Sequence, residues 1–164
     1  MTKIEYFPLV DEEGNVIGKT TRSECHSGSF LLHPVVHLHL FDHAGRLYLQ
    51  KRAMTKDIQP GKWDTAVGGH VDWGETIEQA LRREAKEELG LTDFVPVFLT
   101  KYPFRSKVEY ELVHTYKTTS DQPPLPDPEE LSEGRFWSLE EIKESLGKDI
   151  FTPNFESEFE QLFL

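Results

Sequence analysis

The sequence predicts one domain of the α/β or α+β class, in which strands and helices alternate along the chain. Short runs of alternating apolar residues predict strands, and one long segment with apolar residues at every fourth position predicts a helix. The length of 164 residues matches a single domain. Because no repeat or low-complexity segment divides the chain, we expect one domain over residues 1–164.

The first part of the chain predicts strands separated by polar turns. In the third predicted strand, Val36, Leu38 and Leu40 share one face, while Val35, His37, His39 and Phe41 share the other. The predicted elements, in chain order, are strands 4–10 and 16–19 around a turn at 11–15, a loop over 22–30, strands 34–41 and 46–52, and a loop over 53–63 with a turn at 59–61.

A helix is predicted over Glu75–Leu89, because Ile77, Leu81 and Ala85 recur at helical spacing and form an apolar seam. Gly90 is a natural helix end. The remaining predicted elements are strands 94–104 and 108–117, a stiff proline-rich connector over 120–130, a strand over 134–138, a helix over 139–146 capped by Ser138, and a last helix opened by Thr152 and Pro153.

Charge and composition exclude several function classes. With 29 acidic and 18 basic residues, the net charge is −11, which argues against nucleic-acid binding as the main function and favours binding of divalent cations. A single cysteine, Cys25, excludes an internal disulfide. No stretch approaches the roughly 18 consecutive apolar residues of a membrane span. We therefore expect a cytoplasmic protein with no membrane partner.

The most informative segment of the sequence runs from Gly69 to Leu91. Its Glu84, Glu87 and Glu88 lie at positions i, i+3 and i+4, so they share one helix face. Like charges at this spacing repel, and the C-terminal half of a helix disfavours anions. A divalent cation would remove both penalties, and Mg²⁺ accepts carboxylates together with water and phosphate oxygens. The alternative interpretation is an ordinary solvated acidic face.

The same segment resembles the signature of the Nudix hydrolase superfamily, Gly-x5-Glu-x7-Arg-Glu-apolar-x-Glu-Glu-x-Gly. The resemblance implies a mixed β-sheet sandwiched between helices, and metal-assisted attack of water on a diphosphate linked to another group. It also implies that Glu75 stabilises the turn into the helix and that Gly69 lets a backbone carbonyl approach the metal. The matching residues of this Nudix box are Gly69, Glu75, Arg83, Glu84, Glu87, Glu88 and Gly90.

The resemblance also implies catalytic roles on the predicted helix. Glu84 and Glu88 would bind the metal, which is Mg²⁺ or Mn²⁺. Glu87 would bind a further ion or its water and is a candidate general base. Arg83 would pair with a carboxylate and orient it. The partner is then a small-molecule diphosphate substrate.

Other motifs resemble the isopentenyl diphosphate isomerase branch of the same superfamily. They are Cys25-His26, His33, Arg52-Ala-Met-Thr-Lys56, Pro60-Gly61, Trp63, Gly69-His70 and Glu109-Tyr-Glu111. In that branch histidines and glutamates form a metal site, which implies a candidate second metal site here. Its residues would be His26, His33, His70, Glu109 and Glu111. By the same resemblance, Arg52 and Lys56 are candidate diphosphate contacts.

One position separates the two branches. The isomerase needs a cysteine directly before the Gly-His pair, where this chain has Gly68, and it typically lacks the complete signature found here. Diphosphate hydrolysis is therefore favoured, with an isomerase as the alternative. A binding module that has lost catalysis is disfavoured by the intact glutamates. Nucleoside diphosphates, nucleotide sugars, dinucleotides and isoprenoid diphosphates all remain open as substrates.

The other histidines and tryptophans are interpreted as structural. A histidine outside a patterned set is more often a hydrogen-bonded filler than a metal ligand, and tryptophan more often belongs to a core than to a binding pocket. The residues concerned are His37, His39, His43, His114, Trp63 and Trp73.

Overall fold

The computed structural model describes residues 4–55, 59–125 and 131–164. Within these ranges a seven-stranded mixed sheet carries helices on both faces, as expected. The strands are β1 (Tyr6–Val10), β2 (Val16–Thr21), β3 (Leu32–Phe41), β4 (Leu47–Arg52), β5 (Trp63–Thr65), β6 (Val67–His70), β7 (Val97–Arg105), β8 (Tyr110–Thr119) and β9 (Leu131–Trp137). The helices are α1 (Arg22–Cys25), α2 (Ile77–Leu89), α3 (Leu139–Ser145) and α4 (Pro153–Phe163).

Strand β3 is the centre of the sheet. It pairs in parallel with β8 along its whole length and antiparallel with β6, while it meets β4 only at Phe41. The main path of the sheet is β5-β4-β3-β8-β7, with β6 added to β3 and β9 added to β4. Strands β1 and β2 form a separate hairpin. Because β4 and β6 leave β3 at different points, the sheet opens beside β3.

The two faces of β3 are covered by different helices. Val36, Leu38 and Leu40 pack in one core cluster with the apolar face of α2, which includes Leu81 and Ala85. On the other face, the His39 ring lies 6.4 Å from the Phe155 ring of α4. Since side chains alternate across a strand, α2 and α4 contact different sets of β3 residues.

Helix α2 begins and ends at well-defined capping residues. Thr76 is the N-cap and forms a capping box with Gln79, and Gly90 ends the helix in the left-handed conformation at φ 65°. The end at Gly90 is as predicted. The predicted start at Glu75 is wrong, because the capping box places Glu75 in the preceding turn.

The sequence-based elements agree with the structure except in the shortest segments. The predicted loop over 22–30 contains the one-turn helix α1, whose N-cap Thr21 accepts from the Glu24 amide. Strands β5 and β6 were not predicted, because they span only three and four residues and β6 contains two glycines. Such pieces carry no measurable hydrophobic period. Part of the predicted connector, 126–130, lies outside the described residues.

Within the described ranges, no helix is both long enough and apolar enough to cross a membrane.

Substitution of Phe155 should test the packing of α4 on the sheet. Phe155 is 1% exposed and lies between the rings of Phe151 and Phe159. We expect Phe155→Ala to lower the free energy of unfolding by about 3–5 kcal/mol, measured by urea denaturation. The matched control is Phe98→Ala, since Phe98 is 55% exposed, and it should cost no more than about 1.5 kcal/mol. Equal losses would contradict the assignment of α4 to the core.

Candidate active site

Arg83 joins helix α2 to the turn that precedes it. Its guanidinium donates two hydrogen bonds to Glu75, at 2.8 and 2.9 Å, and a third to the backbone carbonyl of His70 at 3.0 Å. The hydrogen bonds to Glu75 raise the pKa of Arg83 further above its usual range. A fourth bond, 2.8 Å long, reaches Glu84 Oε1. Arg83 therefore contacts carboxylates both in the turn before α2 and on α2 itself.

Gly69 lies directly against the carboxyl group of Glu84. A Cβ atom at position 69 would lie 2.2 Å from Glu84 Cδ, which is far inside any real contact. A side chain at position 69 would therefore have to displace the Glu84 carboxyl, which the hydrogen bond from Arg83 holds in place. The approach of the Gly69 backbone carbonyl to a metal stays a prediction.

Glu88 is the second carboxylate of the group. Its Oε1 accepts a hydrogen bond from Gln50 Nε2 at 3.4 Å, whereas its Oε2 is buried and has no hydrogen-bond partner within the described ranges. Burial, together with the negative charge of Glu84, raises the pKa of Glu88 well above its usual value. Buried carboxylates that lack a cation behave in this way, so Glu84 and Glu88 fit a divalent metal ion.

Glu87 occupies a more open position on α2. Its side chain is 59% exposed, and its carboxylate lies 3.3 Å from Arg83 Nη1. Glu87 is therefore accessible to water beside the two half-buried carboxylates of Glu84 and Glu88.

A second group of metal-binding side chains converges on the opposite face of β6. One ligand atom each from His26, His33, His70 and Glu109 lies within 4.8 Å of all the others. The Nε2 atoms of the three histidines are buried. His26 Nε2 lies 2.9 Å and His33 Nε2 3.8 Å from the Glu109 carboxylate. Three imidazole nitrogens and a carboxylate suit Zn²⁺, Mn²⁺ or another divalent ion.

The surroundings of this group orient its rings. Phe7, from β1, stacks on His70 with ring centroids 4.7 Å apart, and His33 Nδ1 bonds the Leu31 carbonyl at 3.0 Å. Such a contact leaves Nε2 of His33 directed at the group. Burial opposes protonation of His33, but contacts with the Cys25 thiol and Glu109 outweigh it and raise its pKa to about 10.

Glu111 is not part of the converging set that the sequence suggested. Neighbouring Glu109 lies within the set of four, whereas Glu111 does not. Burial and the proximity of Glu109 raise the pKa of Glu111 to about 8. Of the two predicted diphosphate contacts, Arg52 is 30% exposed with Nη1 3.9 Å from Asp64 Oδ2. Lys56 lies outside the described residues.

The histidines and tryptophans interpreted as structural differ in their surroundings. His43 pairs with Asp121, and Trp63 packs edge-on against Trp137 in a core cluster. His114 is buried, and its Nε2 has no hydrogen-bond partner among the described residues, so its structural role stays a prediction. Trp73 is 45% exposed and does not belong to the core, because it lies in the turn before α2.

The sequence did not indicate Phe7 or Gln50 as parts of the site. Phe7 carries only a weak signal, because it is one apolar residue among several on the predicted strand 4–10. Gln50 carries none, since its relevance depends on the position of β4 beside α2.

Known proteins are similar to this chain over most of its length. The model of the NUDIX domain matches residues 31–155. Isopentenyl-diphosphate Delta-isomerase 1 of Photorhabdus laumondii is 30% identical, over 95% of this chain and 93% of the relative. An uncharacterized Nudix hydrolase of Yersinia pestis is 32% identical, over 92% of this chain and 81% of the relative. A solved structure from Deinococcus radiodurans has a TM-score of 0.78 at 25% identity, covering 98% of this chain and all of that one.

Substitutions of Gly69 and Gly68 should show whether the contact between Gly69 and Glu84 supports metal binding. We expect Gly69→Ala to displace the Glu84 carboxyl and to weaken Mg²⁺ binding by about 10–100-fold, measured by calorimetric titration. The control is Gly68→Ala, because a Cβ at position 68 would meet only His37, at an ordinary 3.5 Å. Equal Mg²⁺ affinity in the two variants would contradict the role assigned to Gly69.

Proposed function

The chain belongs to the Nudix superfamily, and we propose that it hydrolyses a diphosphate bond in a nucleoside diphosphate-linked or related organic diphosphate compound, with Mg²⁺ or Mn²⁺ as cofactor. The observation that carries the proposal is the pair Glu84 and Glu88. One member packs on Gly69 where no side chain fits, and the other has a buried oxygen without a partner. Both features have a physical reason if a divalent cation binds between the carboxylates.

The proposed mechanism assigns a role to each charged residue of α2. When bound, the metal neutralises the charge that develops on the phosphoryl group and makes water a better nucleophile. Glu84 and Glu88 hold it, and Arg83 keeps the Glu84 carboxylate in orientation through its 2.8 Å hydrogen bond. Glu87 is exposed and lies on the same helix face as the other two glutamates. We therefore propose that its carboxylate is the general base that accepts a proton from the attacking water. Arg52 and Lys56 would contact the diphosphate.

A second candidate function is isomerisation of isopentenyl diphosphate. It is supported by the group of His26, His33, His70 and Glu109, and by relatives that bear the isomerase name. Gly68 opposes it, because moving a proton on and off carbon needs an acid and a base on opposite sides of the substrate. Glycine supplies neither.

Release of phosphate or pyrophosphate across a panel of substrates tests the main proposal. The panel comprises ADP, a nucleotide sugar, a dinucleotide and isopentenyl diphosphate, each assayed with Mg²⁺, with Mn²⁺ and with excess chelator. We expect activity on at least one nucleotide, loss of that activity in chelator, and recovery on adding either metal. Because Glu88 must lose its proton to hold a cation and its pKa is raised, activity should increase towards alkaline pH. Full activity in chelator would refute the proposal.

Substitution of Glu88 tests the metal assignment directly. We expect Glu88→Gln to keep the fold and to lose at least about 10³-fold in kcat, since a neutral amide is a poor ligand for a hard dication. The matched control is Glu78→Gln on the same helix, where the side chain is 64% exposed and pairs with Arg82. Unchanged turnover in Glu88→Gln, or an equal loss in Glu78→Gln, would contradict the assignment.

The isomerase alternative has its own test. We expect no conversion of isopentenyl to dimethylallyl diphosphate, either by the unmodified protein or by Gly68→Cys. A thiol added at position 68 would meet the His37 ring, and a misplacement of about 1 Å can cost on the order of 10²-fold. Proton NMR of the product mixture, against a control with metal alone, measures the conversion. Conversion by the unmodified protein would favour the isomerase.

A further inference from the structure

A buried carboxylate on α4 lies outside the groups that the proposed mechanism uses. Glu158 is 1% exposed, and its oxygens accept hydrogen bonds from His37 Nδ1 at 2.8 Å and His39 Nε2 at 2.7 Å. The hydroxyl of Tyr102 donates a third hydrogen bond to Glu158. Three donors from two strands thus converge on one carboxylate from the last helix.

The group is an ion pair that folding has taken out of water. Burial opposes the charges on both partners, but the attraction between them outweighs it. The pKa of Glu158 lies far below its usual value, and the pKa of His37 is raised to about 9. Burying such a pair contributes little net stability compared with apolar residues of the same size. Packing alone is therefore a weak reason for its presence.

The two histidines of the group have different surroundings. His39 is fully buried and contacts the rings of Phe155 and Phe163, so its surroundings belong to the core. His37 pairs across the sheet with Gly68 and is 13% exposed. Its Cδ2 and Nε2 atoms lie 3.5 and 3.7 Å from the place where a side chain on Gly68 would begin.

Gly68 is exposed to solvent although it lies in a strand next to the centre of the sheet. Apart from the His37 ring, nothing lies within 4 Å of its missing side chain. The missing side chain therefore leaves a recess that the edge of His37 borders. His37 Nε2 makes no hydrogen bond within the described ranges, while Nδ1 is committed to Glu158.

The recess lies on the face of β6 that also carries His70, and it is next to the position where Gly69 meets Glu84 on the opposite face. Gly68 directly precedes Gly69, which packs on Glu84, and Gly69 precedes His70 of the converging set. The charges of Asp64 and Glu111 also raise the pKa of His37, and Asp64 lies 3.9 Å from Arg52. Because Gly68 and Gly69 are adjacent in β6, a diphosphate held by the Nudix glutamates would have its attached group within reach of this recess.

We propose that His37, held by Glu158, is a substrate-contacting hydrogen-bond donor that selects attached groups carrying acceptor oxygens over hydrocarbon groups. Such acceptors include hydroxyl and carbonyl oxygens, and the ribose hydroxyls of a nucleoside diphosphate are of this kind. The inference rests on the proposed hydrolase function and specifies its substrate. A hydrocarbon in the recess would leave a buried donor without a partner, which is the strongest form of discrimination against an analogue. Glu158 is a positioning residue, since it acts through His37.

A matched pair of substitutions separates recognition from structure. His37→Leu and His39→Leu each remove one hydrogen-bond donor from Glu158, but only His37 borders the recess. The readout is the ratio of kcat/KM for ADP to kcat/KM for isopentenyl diphosphate. We expect His37→Leu to lower this ratio by about 10–100-fold and His39→Leu to leave it unchanged, even if both lower the melting temperature. His37→Gln keeps a donor and should retain most of the ratio.

Substitution of Glu158 tests the link between the two residues. Glu158→Gln should lower the ratio in the same direction as His37→Leu. Combining it with His37→Leu should lower the ratio no further, because both changes act on one contact. Equal effects of the two Leu variants, or no effect of His37→Leu, would overturn the proposal.

A binding measurement keeps this test independent of hydrolysis. Dissociation constants for ADP and isopentenyl diphosphate, measured in excess chelator so that no turnover occurs, give the same discrimination as a ratio of affinities. If the unmodified protein hydrolyses no member of the panel, the proposed function fails. The affinity ratio in His37→Leu and His39→Leu then still supports or overturns the role of His37.

Discussion

The Arg83 guanidinium is the interaction on which the arrangement of the site depends. It holds Glu75, Glu84 and the carbonyl of His70 at once, with hydrogen bonds between 2.8 and 3.0 Å. These groups belong to three different elements: the turn before α2, α2 itself and the end of β6. A planar group with five donors in fixed directions can make such a connection, whereas a lysine could not. The position of β6 against α2 follows from it, and so does the close contact of Gly69 with Glu84.

This connection also explains why carboxylates can accumulate where folding alone would disfavour them. Glu84 and Glu88 are near each other, partly withdrawn from water, and close to the negative end of the α2 dipole. Arg83 compensates part of that charge at Glu84, but it does not reach the buried oxygen of Glu88. The remaining charge is what a cation would balance. The repulsion between these carboxylates destabilises the folded chain, and metal binding would offset that loss of stability.

The two faces of strand β3 carry different kinds of side chain, apolar on one face and partly polar on the other. On one face, Val36, Leu38 and Leu40 are purely structural and support α2. On the other, His33 and His37 point towards the groups of Glu109 and Glu158. The alternation of a strand places these histidines about 13 Å apart along one face, with the recess at Gly68 near the second of them. Helix α4 is therefore more than a cover for the core, because its Glu158 orients a polar group beside the candidate site.

The sequence by itself determined the parts of this protein that depend on local spacing. The period of α2, its end at Gly90, the common face of Glu84, Glu87 and Glu88, and the alternation in β3 all follow from residues within a few positions of one another. Only the tertiary structure decided which distant residues meet. Phe7 stacks on His70, Gln50 reaches Glu88, and Glu158 binds a histidine 121 positions earlier in the chain. A glutamate at the third position after Phe155, on the apolar face of α4, was a sign that it is buried. Its partners were not encoded locally, because pairing across a sheet depends on how the whole chain folds back on itself.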